Sequence, residues 1–273
     1  MIPAHQTVSP LKWNAAPAQA SRDVPEETAV AIVINGATQA VMMATPADLE
    51  DFAVGFCLTE GLIASPDAIE SLALVEHDNG IEARLFVADA SAKALAVRRR
   101  ALAGPTGCGL CGIESLDQAM RQVPPVSSDL AIGADDVLDA MAALRPAQSL
   151  NAVTHAVHAA ALWSPAEGLI VLREDVGRHN ALDKLVGAVR RAGTDTSGAA
   201  LLLTSRVSIE MVQKAAVLGT GILVAVSAPT SAAIRVAEEA DITLAAIARA
   251  DGFEIFTHPR RIGGRVVALH RPG

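Results

Sequence analysis

The chain has 273 residues, 51% of them hydrophobic and 19% charged, and thirty acidic against twenty-two basic groups leave a net charge of −8. That length allows one or two domains with a full core, while the acidic balance excludes general nucleic-acid binding, which leans on positive charge. Five Phe, two Trp and no Tyr leave little for a base-stacking platform. Despite a mean hydropathy of +0.34, no run reaches the roughly 18 apolar residues a spanning helix needs, so no membrane insertion is expected.

Residues 1–23 read as a flexible arm. The stretch 1–27 lacks the basic start and apolar run of a signal peptide and carries scattered Pro, Ala and Ser instead. Residues 28–35 and 38–44 are β-rich runs joined around Asn35-Gly36, a hairpin signal. Thr45-Pro46-Ala47-Asp48 then opens a helix, with Thr45 as N-cap and Pro46 at the first helical position. Leu49, Phe52, Ala53, Phe56 and Cys57 recur at helical spacing, which places Cys57 on the buried stripe as a core cysteine. Residues 69–76 and 81–88 form a second hairpin across Asp78-Asn79-Gly80, and a helix over 90–103 follows, ending in Arg98-Arg99-Arg100.

Four glycines and a proline within Gly104-Pro105-Thr106-Gly107-Cys108-Gly109-Leu110-Cys111-Gly112 fit neither helix nor strand, so this is a loop. A helix near 114–121 and the Pro-rich connection 123–128 lead into the second half. There, strands at 168–173, 199–204, 221–227 and 242–248 alternate with helices at 180–191, 208–218 and 231–240. Such alternation signals parallel strands with helical crossovers. The fold expected is α/β, with an α+β first half. A smaller β-rich lobe at 24–126 carries the cysteine loop, and a larger three-layer α/β lobe at 127–273 carries a cofactor crevice.

Three segments could carry chemistry. An odd count of three cysteines argues against a disulfide framework, and with the cytoplasm as default compartment a cysteine pair points to metal or catalysis. Cys108 and Cys111 can be read as a chance pair, a zinc half-site lacking a second C-x-x-C, a thioredoxin-like redox centre, or a sulfur-carrying thiol-exchange site. The second segment is 173–180, which, with Ser205-Arg206 and 227–231, falls at strand carboxyl ends, where open α/β sheets bind ligands. Thr230 or Ser231 would cap the helix that follows. The third is Phe253-Glu254-Ile255-Phe256-Thr257-His258 with Arg260, Arg261, Arg265, His270 and Arg271 beyond it. There a local reversal of charge could meet phosphate.

Taken together, the sequence resembles the FdhD family of formate dehydrogenase accessory sulfurtransferases from about Val24 to its end. The resemblance rests on six blocks: 44–52, the Cys108-Gly109-Leu110-Cys111-Gly112 loop, 174–184, 204–208, 226–230 and Thr257-His258-Pro259. It implies a sulfur carrier that takes persulfide sulfur from a cysteine desulfurase and passes it to the molybdenum bis(molybdopterin guanine dinucleotide) cofactor destined for formate dehydrogenase. On that resemblance Cys108 would hold the persulfide and Cys111 would assist. Phe253, Glu254, Ile255, Phe256, Thr257 and His258 would meet the guanine-nucleotide ligand, without a structural metal. A cytoplasmic homodimer with a cytidine-deaminase-like larger lobe is also implied. The zinc-deaminase signature is missing, however, because Cys108 follows Gly107 rather than Pro. His155-Ala156 stands where the family usually has two glycines, and Phe256 where a Tyr is common. The alternatives are a cofactor-binding chaperone without sulfur chemistry and a C-x-x-C redox protein.

Overall fold

The structure, a computed structural model, describes residues 2–10, 21–88 and 123–264. β1 (His5–Val8) pairs antiparallel with β2 (Arg22–Pro25) as an exposed ribbon near the start of the chain. β3 (Thr28–Ile34) and β4 (Ala37–Ala44) form the first expected hairpin. Its turn residues Asn35 and Gly36 have φ of 48° and 77°, the left-handed pair that a two-residue turn needs to match strand twist.

Between the hairpins lies α1 (Leu49–Thr59). Its start departs from the sequence expectation: the N-cap is Asp48, at φ 52°, and Pro46 is outside the helix. Thr45 is drawn elsewhere. Its amide donates to Asp175 and its hydroxyl accepts from the Val176 amide, so a cap-like sequence serves a contact 130 residues away. β5 (Ile69–His77) and β6 (Gly80–Val87) complete a four-stranded sheet in the order β4-β3-β6-β5, with β6 parallel to β3. Val30, Ile32, Ile81, Ala83 and Leu85 are among its buried residues, at the alternate positions a sheet with one covered face demands.

The second half adds β7 (Ile132–Gly133), α2 (Ala134–Ala147), α3 (Ser149–Thr154), β8 (His158–Ser164), β9 (Gly168–Asp175), α4 (Arg178–Ala192) and β10 (Ala200–Leu203). It continues through α5 (Ile209–Leu218), β11 (Ile222–Ala225), α6 (Ser231–Glu239), β12 (Thr243–Arg249), β13 (Gly252–Ile255) and β14 (Ile262–Gly263). Six of the strands form one mixed sheet, ordered β13-β12-β11-β10-β8-β9.

Only β10, β11 and β12 pair in parallel; β8 runs antiparallel between β9 and β10. The expectation of a parallel series from 168 onward is corrected here, because β8 lies between β9 and β10 and pairs antiparallel with both. Its sequence HAAALWS contains no β-branched residue and so gives a weak strand signal. Helices α2 and α3 also lie outside the sequence expectation.

Residues of α4, α5 and α6 join the buried cluster on one face of this sheet, and those of α2 join a second cluster on the other. The first cluster continues from Leu201 and Leu223 through Leu182 and Phe52 to Val30 and Leu85. Both sheets therefore share a single core. Among the described residues, α1 and α4 pack on each other more extensively than any other pair of elements, and the contact is backbone to backbone. A Cβ on Gly55 would lie 1.7 Å from the Asp183 carbonyl oxygen, and one on Gly187 would lie 1.8 Å from that of Asp51. Among the described residues no helix is long and apolar enough to cross a membrane.

Candidate functional site

Cys57 lies on the buried stripe of α1 and is fully buried. Burial, and then the nearby Asp183 charge, push its thiol up to about 12. It remains protonated and unreactive, as the core reading expects. Cys108 and Cys111, with the whole 104–112 loop, lie outside the described residues. So do the expected helices at 90–103 and 114–121, and Arg265, His270 and Arg271.

The strand-end segments do share one edge. With β8 reversed between them, β9 runs in the same direction as β10, β11 and β12, so all four carboxyl ends emerge together. Beyond the strands, Val207 bridges Pro229 in parallel, and the Thr230 amide donates to the Val207 carbonyl at 2.9 Å.

Most polar side chains at this edge are engaged internally. Glu174 accepts from the Leu150 and Asn151 amides, both at 2.8 Å, and so caps α3. Asp175 is fully buried; it pairs with the Lys184 ammonium at 2.7 Å and accepts from Thr45, Gly177 and Asn180. Lys184 also donates to the Thr45 carbonyl; burial drives its pKa down while Asp175 resists. Thr230 caps α6 by accepting from the Ala233 amide, as the sequence indicates. The Ser205 hydroxyl donates to the carbonyl of Arg206.

A second buried pair lies deeper on α4. Lys214 donates to both Asp183 oxygens, at 2.8 and 3.0 Å, and to Thr59. Burial pushes the Asp183 carboxyl up against the pull of Lys214.

Arg178 and His179, in the first turn of α4, are different. The Arg178 Nε and His179 Nε2 are buried and have no hydrogen-bond partner among the described residues, and a Glu210 carboxylate oxygen lies 4.0 Å from the latter. Burial first, then the charges of Arg178 and Lys214, press His179 down to about 4. His158, opening β8, is likewise lowered by burial and by Arg178. In the sequence the 173–180 segment marks Arg178 and His179, whereas nothing there marks His158.

An NMR titration is expected to find the His179 ring neutral at pH 6, with a midpoint near 4. The unfolded chain takes up that proton at about 6.5. The native state therefore loses stability as pH falls through the interval between these values. A midpoint at the unperturbed value would refute the buried setting.

The segment from Phe253 to His258 lies on the far flank. β13 is an edge strand, antiparallel to β12, so the chain leaves it at the opposite end of the sheet from the crevice edge. Phe253 and Ile255 pack against the cluster under α2, and Phe256 against the other. Glu254 is exposed. The Thr257 hydroxyl donates to Ile242 and accepts from Leu244. His258 lies 2.9 Å from the Glu238 carbonyl.

The expected cationic reversal is reduced here. Arg260 and Arg261 both pair with Asp241, the latter at 2.7 Å, and Arg261 also donates to the Ser128 and Asp241 carbonyls. The strand-end residues thus come together at one edge, while His258 sits at the other.

Comparison with known proteins adds to this geometry. The model of the FdhD/NarQ family matches residues 25–263. "Sulfur carrier protein FdhD" of Agrobacterium fabrum is 53% identical over 90% of this chain and 91% of its own. The protein of the same name in Cupriavidus necator is 48% identical over 95% and 91%. A crystal structure from Desulfotalea psychrophila, of a candidate formate dehydrogenase accessory protein, superposes with a TM-score of 0.75. It covers 95% of this chain and 100% of that one at 24% identity, which speaks to the fold.

Proposed function

The chain belongs to the FdhD/NarQ family, and on that premise we propose that it carries sulfur on Cys108 for the maturation of a formate dehydrogenase. The observation behind this reading is the 53% identity, across nine-tenths of both chains, to a protein named as a sulfur carrier. The Gly-flanked Cys108-x-x-Cys111 pair supplies the chemistry.

The Cys108 thiolate attacks the terminal sulfur of a cysteine desulfurase persulfide. The donor's S–S bond breaks, its own thiolate leaves, and a persulfide forms on Cys108. Backbone amides in a Gly-rich loop favour such an anion. For delivery, the Cys111 thiolate attacks the Cys108 Sγ, and the terminal sulfur departs as hydrosulfide to the substrate, the molybdenum bis(molybdopterin guanine dinucleotide) cofactor. The Cys108–Cys111 disulfide left behind is reduced by an external dithiol. In this reading the segment from Phe253 to His258 meets the guanine-nucleotide part of that substrate. The working form is a cytoplasmic homodimer whose larger lobe is deaminase-like in fold only.

The test is intact mass after incubation with a desulfurase and cysteine. The wild-type chain is expected to gain one sulfur atom, and Cys108→Ala none, while keeping its fold. A Cys108→Ala chain that still gains sulfur overturns the assignment, and a wild-type chain that gains none overturns the sulfur-carrier reading.

A further inference from the structure

Two asparagines of the chain precede glycine, at Asn35-Gly36 and Asn79-Gly80. Each pair sits where a hairpin of the four-stranded sheet turns, the first between β3 and β4 and the second between β5 and β6. At such a step the glycine amide nitrogen can attack the asparagine side-chain carbonyl carbon, because glycine has no Cβ to crowd the approach. The reaction then depends on how freely the asparagine side chain turns.

Asn35 is held. Its Oδ1 accepts from the Val87 amide at 2.9 Å, its Nδ2 donates to the Val87 carbonyl at 3.2 Å, and its own amide donates to the Leu85 carbonyl at 2.9 Å. Both atoms carried by its Cγ are therefore tied to β6, 52 positions along the chain. Attack by Gly36 requires Cγ to rotate out of both bonds.

Asn79 is not held. It is exposed at the tip of its hairpin, and its side chain makes no hydrogen bond among the described residues. The pair His77 with Gly80 is the last of the β5–β6 ladder, and β5 is an edge strand, a place where local opening costs little. Asp251-Gly252, in the turn between β12 and β13, has the same spacing and an exposed Asp251, but a carboxylate resists a nitrogen nucleophile.

We infer that Asn79 is a site of spontaneous modification, passing through a succinimide to aspartate and isoaspartate, while Asn35 stays intact. The Gly80 amide gives its proton to solvent base and its nitrogen bonds to the Asn79 Cγ. The Cγ–Nδ2 bond breaks, and Nδ2 takes up a proton and leaves as ammonia. Water then opens the cyclic imide at either carbonyl. The product gains a negative charge next to Asp78, and its isoaspartyl form adds a methylene to the main chain of the turn. Gly80 has little room for that shift, since a Cβ on it would lie 2.4 Å from the Ala29 carbonyl oxygen on β3. The isoaspartyl carboxyl is the substrate of carboxyl methyltransferases that act on isoaspartate. This inference stands apart from the sulfur-carrier reading.

The test is to age the full chain at mildly alkaline pH, folded and in urea, and to follow both sites by peptide mass spectrometry. In the folded chain Asn79 is expected to deamidate at least about tenfold faster than Asn35, whose two side-chain hydrogen bonds must first break. In urea those bonds are absent, and the two sites should react at matching rates. A protein-isoaspartate methyltransferase with labelled S-adenosylmethionine should label the aged wild-type chain. It should leave Asn79→Gln, whose longer side chain closes a ring far more slowly, largely unlabelled. The inference is overturned if Asn79 does not react in the folded chain, if Asn35 keeps pace with it there, if the difference persists unchanged in urea, or if Asn79→Gln is labelled as strongly as wild type.

Discussion

Gly55→Ala is expected to leave the chain unable to hold its native fold. The new methyl would sit 1.7 Å from the Asp183 carbonyl oxygen and 2.8 Å from the Gly187 amide nitrogen, both backbone atoms of α4. Backbone cannot rotate aside as a side chain can, so α1 and α4 must separate. The gap opens the core around Phe52, Leu182 and Leu185, all fully buried. The cost exceeds the ~1–3 kcal/mol usual for overpacking, against a total stability of roughly 5–15 kcal/mol for a typical domain.

Gly187→Ala makes the reciprocal clash and should behave alike. Gly198→Ala is the control, since a Cβ there meets nothing within 4 Å. Urea unfolding should show a wild-type midpoint for the control, and insolubility or a greatly lowered midpoint for the other two. Equal midpoints for all three would show that the helices do not cross this closely.

Asp175→Ala is the second large effect, expected at roughly 3–5 kcal/mol, the usual penalty for stranding a buried charge. Lys184 is wholly buried with its ammonium 2.7 Å from Asp175. The substitution also unpairs the Thr45 and Gly177 amides and removes one of the two bonds of the Asn180 side chain, which keeps Met43. In the variant the folded state resists protonation of Lys184 further, whereas the unfolded chain binds that proton up to about pH 10. The loss should therefore shrink as pH rises toward that value. Adding Lys184→Met should recover part of the stability, because an apolar replacement of a buried pair is often neutral or better. A double variant no more stable than the single one would show that the Asp175 charge does not hold Lys184.

What the sequence reveals here is local chemistry. Asn35-Gly36 and Asp78-Asn79-Gly80 mark both hairpins because the left-handed turn positions favour those residues. The spacing of Phe52, Ala53 and Cys57 places the thiol in the core. The alternating runs from 180 onward locate α4 to α6 with β10 to β12.

The failures all involve partners distant in the chain. Thr45 reads as a helix cap until Asp175 claims it. The arginines after His258 read as a cationic tail until Asp241, in the turn before β12, neutralises two of them. β8 is an alanine-rich strand whose place is fixed by its neighbours β9 and β10, not by its own propensity. At the crevice, the motif from Glu174 to Lys184 is visible as a unit. The division within it depends on three-dimensional burial: Asp175 and Lys184 hold the structure together, while the Arg178 Nε and His179 Nε2 have no hydrogen bond among the described residues.

The clasp between Thr45 and Asp175 also sets a timetable for synthesis. The two residues are 130 positions apart, so at ~5–20 residues per second the ribosome needs roughly 6–26 s to make the second after the first. Once β6 has been made, β3, β6 and α1 can exist for the rest of that interval while α4, which covers α1, does not. The emerging chain thus presents Val30, Ile32, Phe52 and Leu85 to the cytosol before their native cover has been translated. Nascent-chain chaperones have a defined window in which to bind this protein, and it closes when α4 leaves the exit tunnel.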